Sequence, residues 1–186
     1  NRLVYQDERG LLDLPLPVLP GAHQIYNAGA ALAALRHLDL PETRFEAAVT
    51  RAQWPARLQR LKTGPLKDMA PDADLWLDGG HNAAAGQALA SHLAQQSLRP
   101  TYLICGMLNT KDVAGYLAPM APYVAELFAV SIPGEANPLP AETTATTAKS
   151  VGMAATAADT VNAAVAKILK SDPASRILIC GSLYLA

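Results

Sequence analysis

The sequence has almost no net charge and few aromatic residues. Fifteen Lys and Arg residues stand against 16 Asp and Glu residues, which leaves a formal charge of −1 at pH 7. A protein without a positive field is poorly suited to bind a nucleic-acid backbone or an anionic membrane. Aromatic residues make up only 5% of the chain, which argues against a β-sandwich and an aromatic stacking surface. We therefore expect neither nucleic acid nor membrane as a partner.

Only two cysteines are present, and each lies inside an apolar run. Cys105 belongs to TYLICG and Cys180 to RILICG, a placement typical of reduced, buried thiols and of a cytoplasmic protein. No stretch reaches the roughly 18 uninterrupted apolar residues of a membrane helix. The first residues, NRLVYQDERG, contain neither an apolar signal core nor an initiator Met. We therefore expect this chain to be a piece of a longer one.

Apolar residues are abundant, and many of them are alanine. Hydrophobic residues make up 51% of the 186 residues and charged residues 17%, so the chain has enough apolar surface to fold. The length predicts one domain, or one domain with an appendage. The alanine content favours close-packed helices. The composition therefore indicates an α/β or helical protein.

The first 74 residues are predicted to be mixed in structure. The first twenty are extended, because three prolines in LLDLPLPVLP exclude a helix and its alternating leucines indicate an edge strand. Helices are predicted over 27–37 and 42–52. The proline-containing segment 54–74 is predicted to be irregular and to contain a domain junction.

After Asp74 short apolar runs alternate with helical segments, the pattern of a mostly parallel sheet. Strands are predicted at 75–77, 102–105, 126–131 and 176–180, with a short one near 153–155. Helices are predicted at 84–95, 113–118, 141–149 and 160–169. In such a sheet, ligands bind beyond the carboxyl ends of the strands.

Two polar segments follow predicted strands. Asp78-Gly79-Gly80-His81-Asn82 comes after LWL, and Gly181-Ser182 comes after RILIC. Paired glycines allow close approach of a ligand, an aspartate supplies an acceptor and a histidine a titratable group. Each has a simpler interpretation, which stays open: Asp78 or Asn82 caps the next helix, His81 is a solvated loop residue and Ser182 is a turn residue.

Several established site motifs are missing from the sequence. It contains no GxxxxGK[ST], GxGxxG, CxxC, HExxH or GxSxG, so an autonomous P-loop ATPase, a dinucleotide enzyme of the usual kind and a zinc hydrolase are not supported. No metal ligands are predicted. Spacing alone therefore indicates a ligand-binding α/β domain and nothing narrower.

Four strings, in this order and spacing, resemble the carboxyl-terminal part of folylpolyglutamate synthase/dihydrofolate synthase, in the Mur ligase superfamily: LPGAHQIYNAGAALAAL, WPARLQ, LDGGHNAAA and ICGSLYLA. The resemblance implies that residues 1–45 end a central ATPase domain and that 46–186 form a Rossmann-like, three-layer α/β/α domain. It also implies an ATP-dependent ligase that joins L-glutamate to dihydropteroate or folate through an acyl phosphate. The phosphate loop and the Mg²⁺ ligands would lie upstream, so the chain alone is expected to be inactive.

Individual residues resemble functional residues of the family. Asn27 resembles the asparagine that meets the adenine of ATP, with His23 and Gln24 beside it, and Arg57 resembles the arginine that reaches the ATP phosphates, where its planar fork suits an anion. Three more matches are Asp78 with the residue that binds the ribose, His81 with the histidine near the phosphates and glutamate, and Ser182 with the serine that helps to hold glutamate.

Some positions depart from the family pattern. Ala83 replaces the usual proline after HN, Ala56 replaces the common glycine before the arginine, and Thr110-Lys111-Asp112 stands where the family has Asp-Lys-Asp. Lys111 and Asp112 are therefore lesser site candidates, and a simple helix start explains them as well. The resemblance implies a monomer. Two other interpretations remain open: a noncatalytic ligand-binding domain, and half of a Mur ligase that acts on a cell-wall peptide precursor.

Overall fold

The protein is described by a computed structural model that covers residues 1–185. The chain separates into two compact units, one spanning Asn1–Pro55 and the other beginning at Ala56. The division lies within the segment 54–74, which is predicted to contain a domain junction, and ten residues later than the boundary after residue 45 that the resemblance implies. The reason is that Phe45 and Val49 pack into the core of the first unit.

The first unit is a β-hairpin with two helices. Its core consists of five buried apolar side chains: Leu3, Leu14, Leu32, Phe45 and Val49. Its elements are the antiparallel strands β1 (Leu3–Asp7) and β2 (Gly10–Leu14), helix α1 (His23–His37), a 3-10 turn (Glu42–Arg44) and helix α2 (Phe45–Thr50). The prediction that the first helix begins at residue 27 is wrong, because the chain turns at Gly21, with φ +107°, and becomes helical at once.

The second unit is built on a six-stranded sheet. Its strands are β3 (Gln59–Arg60), β4 (Asp74–Leu77), β5 (Thr101–Cys105), β6 (Glu126–Ala129), β7 (Ala155–Ala157) and β8 (Arg176–Cys180). They lie in the order β3-β4-β8-β5-β6-β7. Only the edge pair of β3 with β4 is antiparallel, and the other four pairs are parallel.

Helices cover both faces of this sheet. They are α3 (Pro65–Met69), α4 (Ala83–Leu93), α5 (Val113–Leu117), which continues into a 3-10 segment (Ala118–Tyr123), α6 (Ala141–Ser150) and α7 (Val161–Ser171). Alternate strand residues point to opposite faces. Leu103 and Leu178 pack with α4, α5 and α6, whereas Ile104 and Ile177 pack with α7. The predicted three-layer α/β/α architecture is confirmed.

The differences from the predicted elements are local. The strand predicted at 126–131 ends at Ala129, and the short one near 153–155 occupies 155–157. The segment 54–74 is not irregular throughout, because it contains β3 and α3. Elements of two and five residues are too short to show a hydrophobic period.

Both cysteines are buried free thiols, as predicted. They are register partners on the neighbouring strands β5 and β8. A hydrogen bond with Cys180 and burial raise the pKa of the Cys105 thiol well above its usual value. Within residues 1–185, no helix combines the length and the hydropathy that a membrane crossing requires.

Helix α4 approaches α5 closely at Gly86. A Cβ atom placed there would lie 2.1 Å from the carbonyl oxygen of Tyr116, a backbone atom that cannot swing aside. A Gly→Ala change inside a helix ordinarily stabilises it by about 1 kcal/mol. Here we expect Gly86→Ala to lower the free energy of unfolding by roughly 1–3 kcal/mol.

Urea unfolding followed by circular dichroism measures this effect. Gln87→Ala, at the exposed next position of the same helix, is the control and is expected to stay within about 0.5 kcal/mol of the wild type. A Gly86→Ala protein as stable as the wild type would contradict the close packing of α4 on α5.

Candidate functional site

The candidate site lies at the carboxyl edge of the parallel sheet. Strand β8 runs between β4 and β5 and is parallel to both, so the segments that follow these strands emerge side by side. Asp78 N donates to Ile179 O at 2.9 Å, and Gly106 N donates to Cys180 O at 3.2 Å. The structure therefore brings residues 78–82, which we call the DGGHN loop, next to Gly181-Ser182.

Asp78 is buried and its carboxylate is bonded within the chain. Only 7% of the residue is exposed. Its Oδ2 accepts a hydrogen bond from Leu58 N at 2.9 Å, and its Oδ1 accepts one from Gly80 N at 2.7 Å. The helix cap of α4 is instead Asn82, whose Oδ1 accepts from Ala85 N at 2.9 Å. Of the two capping interpretations left open, the structure supports Asn82.

Residues 56–58, which we call the arginine loop, adopt an unusual backbone. Ala56 and Leu58 have φ angles of +54° and +44°, a left-handed region that residues with a Cβ rarely occupy. Both side chains are buried. Ala56 N donates to Gln59 Oε1 at 2.9 Å, and Ala56 O accepts from Gly79 N at 2.8 Å. The arginine loop is therefore held from several sides in a strained conformation.

Arg57, between those two residues, is half-buried beside the DGGHN loop. Its Nη1 donates to Ala56 O at 3.0 Å. A Cβ atom on Gly79 would lie 3.1 Å from this nitrogen and 2.2 Å from Cδ2 of Leu183. The absence of a side chain at Gly79 therefore allows three segments to meet: the arginine loop, the DGGHN loop and the end of the described chain.

The imidazole of His81 is fixed by a contact inside its own loop. Its Nδ1 lies 3.0 Å from the carbonyl oxygen of Gly79. Because a carbonyl can only accept, Nδ1 carries the proton, and Nε2 of the neutral ring is then an acceptor. The half-buried ring thus offers a proton acceptor in the loop whose Gly79 lies beside Arg57, an arrangement suited to a phosphorylated or amine-bearing ligand.

Ser182, Lys111 and Asp112 are placed in turns. Ser182 is 4% exposed and its Oγ accepts from Tyr184 N at 3.1 Å, as the turn interpretation predicts. Asp112 caps α5, with its Oδ1 accepting from Gly115 N at 2.9 Å. Lys111 lies in the turn before that cap. These contacts agree with the structural interpretation of Asp112, and the hydroxyl of Ser182 retains a proton that it can donate.

Asn27 belongs to the first unit and lies exposed inside α1. Its Nδ2 donates to Gln24 Oε1 at 2.9 Å, and Gln24 Nε2 lies 3.1 Å from His23 Nε2. The three residues thus form one polar row along the start of the helix. The structure therefore joins Arg57 and His81 around the DGGHN loop and places Asn27 in the other unit.

Neither a metal site nor an activated thiol is evident in the part of the chain that the structure describes. No three His, Cys, Asp or Glu side chains among residues 1–185 lie close enough together to hold a metal ion. Burial raises the pKa of Tyr116, and a hydrogen bond with Cys180 together with burial raises the pKa of Cys105. Since the protonated forms of both groups are favoured, neither is a candidate nucleophile.

The fold is that of a Rossmann-like domain, an architecture in which ligands generally bind at the carboxyl edge of the sheet. The profile of the family described as "Mur ligase, glutamate ligase domain" matches residues 57–183. This range covers most of the chain. It begins at Arg57 and ends at Leu183, whose side chain lies beside Gly79. The chain belongs to this family.

Relatives by sequence carry folate-related names. The chain is 27% identical over 197 residues to a folylpolyglutamate synthase of Lacticaseibacillus casei, which covers 100% of this chain and 42% of the relative. A dihydrofolate synthase/folylpolyglutamate synthase of Mycobacterium tuberculosis is 36% identical over 121 residues, 59% of this chain and 22% of the relative. The chain thus spans less than half the length of these relatives.

The chain is also similar to solved structures over nearly its whole length. Escherichia coli FolC in complex with DHPP and ADP superposes with a TM-score of 0.75 at 27% identity, covering 96% of this chain and 40% of that one. A bifunctional folylpolyglutamate synthase/dihydrofolate synthase with Mn, AMPPNP and L-glutamate bound gives a TM-score of 0.76 at 26% identity, covering 97% and 41%. Both likenesses extend over nearly all of this chain.

Sequence reasoning missed the contact between Asp78 and Leu58. A leucine in the sequence indicates neither a left-handed backbone nor a hydrogen bond to a carboxylate twenty residues away. One signal was present at Ala56, which departs from the glycine of the family pattern that the resemblance implies, because glycine adopts positive φ without cost. That departure now has a physical meaning: the alanine is strained.

Replacing Ala56 by glycine tests this strain. An alanine at φ +54° costs about 1–2 kcal/mol, which offsets the lost methyl packing and the greater freedom of glycine in the unfolded chain. We expect Ala56→Gly to be at least as stable as the wild type in urea unfolding. The control is Ala166→Gly at an exposed position of α7, which should lose about 1 kcal/mol. Equal losses in the two variants would contradict the strained conformation.

Proposed function

We propose that this chain is the carboxyl-terminal part of an ATP-dependent ligase that adds L-glutamate to dihydropteroate or folate through an acyl phosphate, and that it is inactive alone. The observation that carries the proposal is the placement of Arg57 against Gly79 within the segment matched by the family profile. The names of the relatives support the folate branch over the cell-wall branch. A monomer in the cytoplasm is part of the same proposal.

Arg57 is the proposed phosphate ligand. Its Nη1 lies beside Gly79 of the DGGHN loop, 3.1 Å from where a Cβ atom on that glycine would stand. A planar guanidinium with several donors is well suited to bind a phosphate group. ATP, when bound, supplies the phosphoryl group that activates the carboxylate substrate. The role of Arg57 is to bind and orient the phosphates and to stabilise the charge on them.

His81 is proposed to meet the phosphates or the incoming glutamate. Because Nδ1 is bonded to Gly79 O, the neutral ring has an acceptor at Nε2, which suits the amine of glutamate. The protonated ring donates at Nε2 and suits a phosphate oxygen instead. Ser182, by its hydroxyl proton, is the proposed glutamate ligand, and Asn27 the proposed adenine ligand on the resemblance alone.

On the resemblance alone, the ribose hydroxyls of ATP are the proposed partners of Asp78, an assignment that competes with a purely structural role for this carboxylate. Each of its carboxylate oxygens accepts one hydrogen bond in the structure and has capacity for a second. The residues described here form no cluster of metal-binding side chains, so Mg²⁺ is assigned no ligands in this chain.

The experiment that tests the function compares two polypeptides. One is the chain of 186 residues, and the other is the product read from the native gene with its upstream coding sequence. Each is assayed with ATP and L-glutamate plus dihydropteroate, a reduced folate or a cell-wall muramoyl peptide precursor. We expect ATP-dependent amide formation only from the longer polypeptide and only with a pteroate or folate.

Other outcomes identify the alternatives. Amide formation by the chain alone would contradict its inactivity, because transfer of a phosphoryl group needs the phosphate loop and the metal in place. Turnover of the muramoyl precursor alone would indicate a cell-wall ligase. A longer polypeptide that binds these ligands without turnover would indicate a noncatalytic binding domain.

Substitution of Arg57 tests its role in the longer polypeptide. Arg57→Lys keeps the charge but loses the paired donors of the guanidinium. We expect kcat/KM for ATP to fall about ten- to hundredfold, the range for one lost hydrogen bond to a charged group. The control is Arg60→Lys, an exposed residue whose Nε pairs with Asp74 at 2.7 Å. Steady-state kinetics in which Arg57→Lys matches Arg60→Lys would place Arg57 outside the phosphate site.

A further inference from the structure

We propose that Asp78 is a positioning residue: its carboxylate joins the arginine loop to the DGGHN loop and thereby sets where Arg57 stands relative to His81. The significance of this arrangement for turnover rests on the proposed function. The joining itself is a property of the chain and is tested without any activity.

The first step is that the two carboxylate oxygens are used in different loops. Oδ2 accepts from Leu58 N in the arginine loop, and Oδ1 accepts from Gly80 N in the DGGHN loop. The residue is 93% buried, being 7% exposed, so these backbone donors provide its solvation. A buried carboxylate is stable only with such partners, and here both partners are the two loops that it connects.

The second step is the strain on either side of Arg57. The left-handed residues Ala56 and Leu58 persist only if the surroundings fix them. Hydrogen bonds hold the arginine loop at three points: Leu58 N donates to Asp78 Oδ2, Gly79 N donates to Ala56 O, and Ala56 N donates to Gln59 Oε1. Two of these three come from the DGGHN loop. The conformation that presents Arg57 therefore depends on that loop.

The third step connects the same contacts to His81. Gly79 donates its N–H to Ala56 O at 2.8 Å, and its carbonyl oxygen accepts from His81 Nδ1 at 3.0 Å. A continuous row of hydrogen bonds thus leads from the arginine loop through Gly79 to the imidazole. Asp78 holds both neighbours of this row in place, through Leu58 on one side and Gly80 on the other.

An asparagine cannot reproduce this arrangement. The amide of Asp78→Asn has one acceptor oxygen, and its NH₂ group would face the second backbone N–H, donor against donor. Asp78→Asn therefore keeps the shape of the side chain while it releases one of the two loops. Asp78→Ala releases both. The matched control is Thr160→Ala, which removes a side-chain acceptor for Ala163 N, 3.0 Å away, at the start of α7.

Amide hydrogen exchange of the chain, followed by NMR, is the first arm of the test. In Asp78→Ala we expect the amides of Leu58 and Gly80 to exchange at least about tenfold faster relative to Leu103 in the core, and in Asp78→Asn at least one of them. In Thr160→Ala only the amide of Ala163 should change. Unaltered protection of Leu58 and Gly80 in folded Asp78→Asn and Asp78→Ala would overturn the proposal.

Kinetics of the longer polypeptide form the second arm and separate positioning from ribose binding. ATP is compared with 2′-deoxy-ATP and 3′-deoxy-ATP in the wild type and in Asp78→Asn. If Asp78 is a positioning residue, kcat falls by about tenfold or more in Asp78→Asn, while the kcat/KM preference for ATP over each deoxynucleotide stays unchanged.

The opposite result has a distinct signature. If Asp78 acts by binding the ribose, Asp78→Asn raises KM for ATP at nearly constant kcat and abolishes the preference for ATP, which overturns the positioning role. A longer polypeptide without ligase activity would contradict the proposed function, and hydrogen exchange would still decide whether Asp78 joins the loops.

Discussion

The insertion of the last strand between β4 and β5 is the constraint on which the site depends. All five residues of β8 are buried, and the strand is bonded in parallel on both sides. Because every parallel strand ends at the same edge, the DGGHN loop and the Gly181-Ser182 turn become neighbours although about a hundred residues separate them in the chain. Without β8 in this place, Leu183 would not reach Gly79.

A second feature is the use of a charge to stabilise a strained backbone. Burying the carboxylate of Asp78 is costly unless donors surround it, and the donors used are the backbone amides of Leu58 and Gly80. The same contacts offset the left-handed conformations beside Arg57. Strain and burial, each unfavourable alone, are thus combined at the point where a cationic side chain is presented, as is common at ligand sites.

The sequence was sufficient to predict the alternation of strands and helices after residue 74 and the position of the DGGHN loop. Buried parallel strands such as RILIC are continuous apolar runs, and helix caps such as Asn82 and Asp112 act within four residues, so both are written locally. The composition of segment 54–74 predicted the junction in which the boundary between the units falls, but the exact position of that boundary was not encoded locally. It depends on Phe45 and Val49 packing against a hairpin at the other end of their unit.

The sequence by itself determined the α/β class, the buried thiols and the polar residues that follow the strands, because each of these is set by hydrophobic period or by neighbours along the chain. Only the tertiary structure decided what those polar residues contact. Asp78 bonds Leu58, and Gly79 makes room for Arg57 and Leu183. Such contacts arise because the sheet order brings distant segments to one edge, and no local pattern of residues encodes that order.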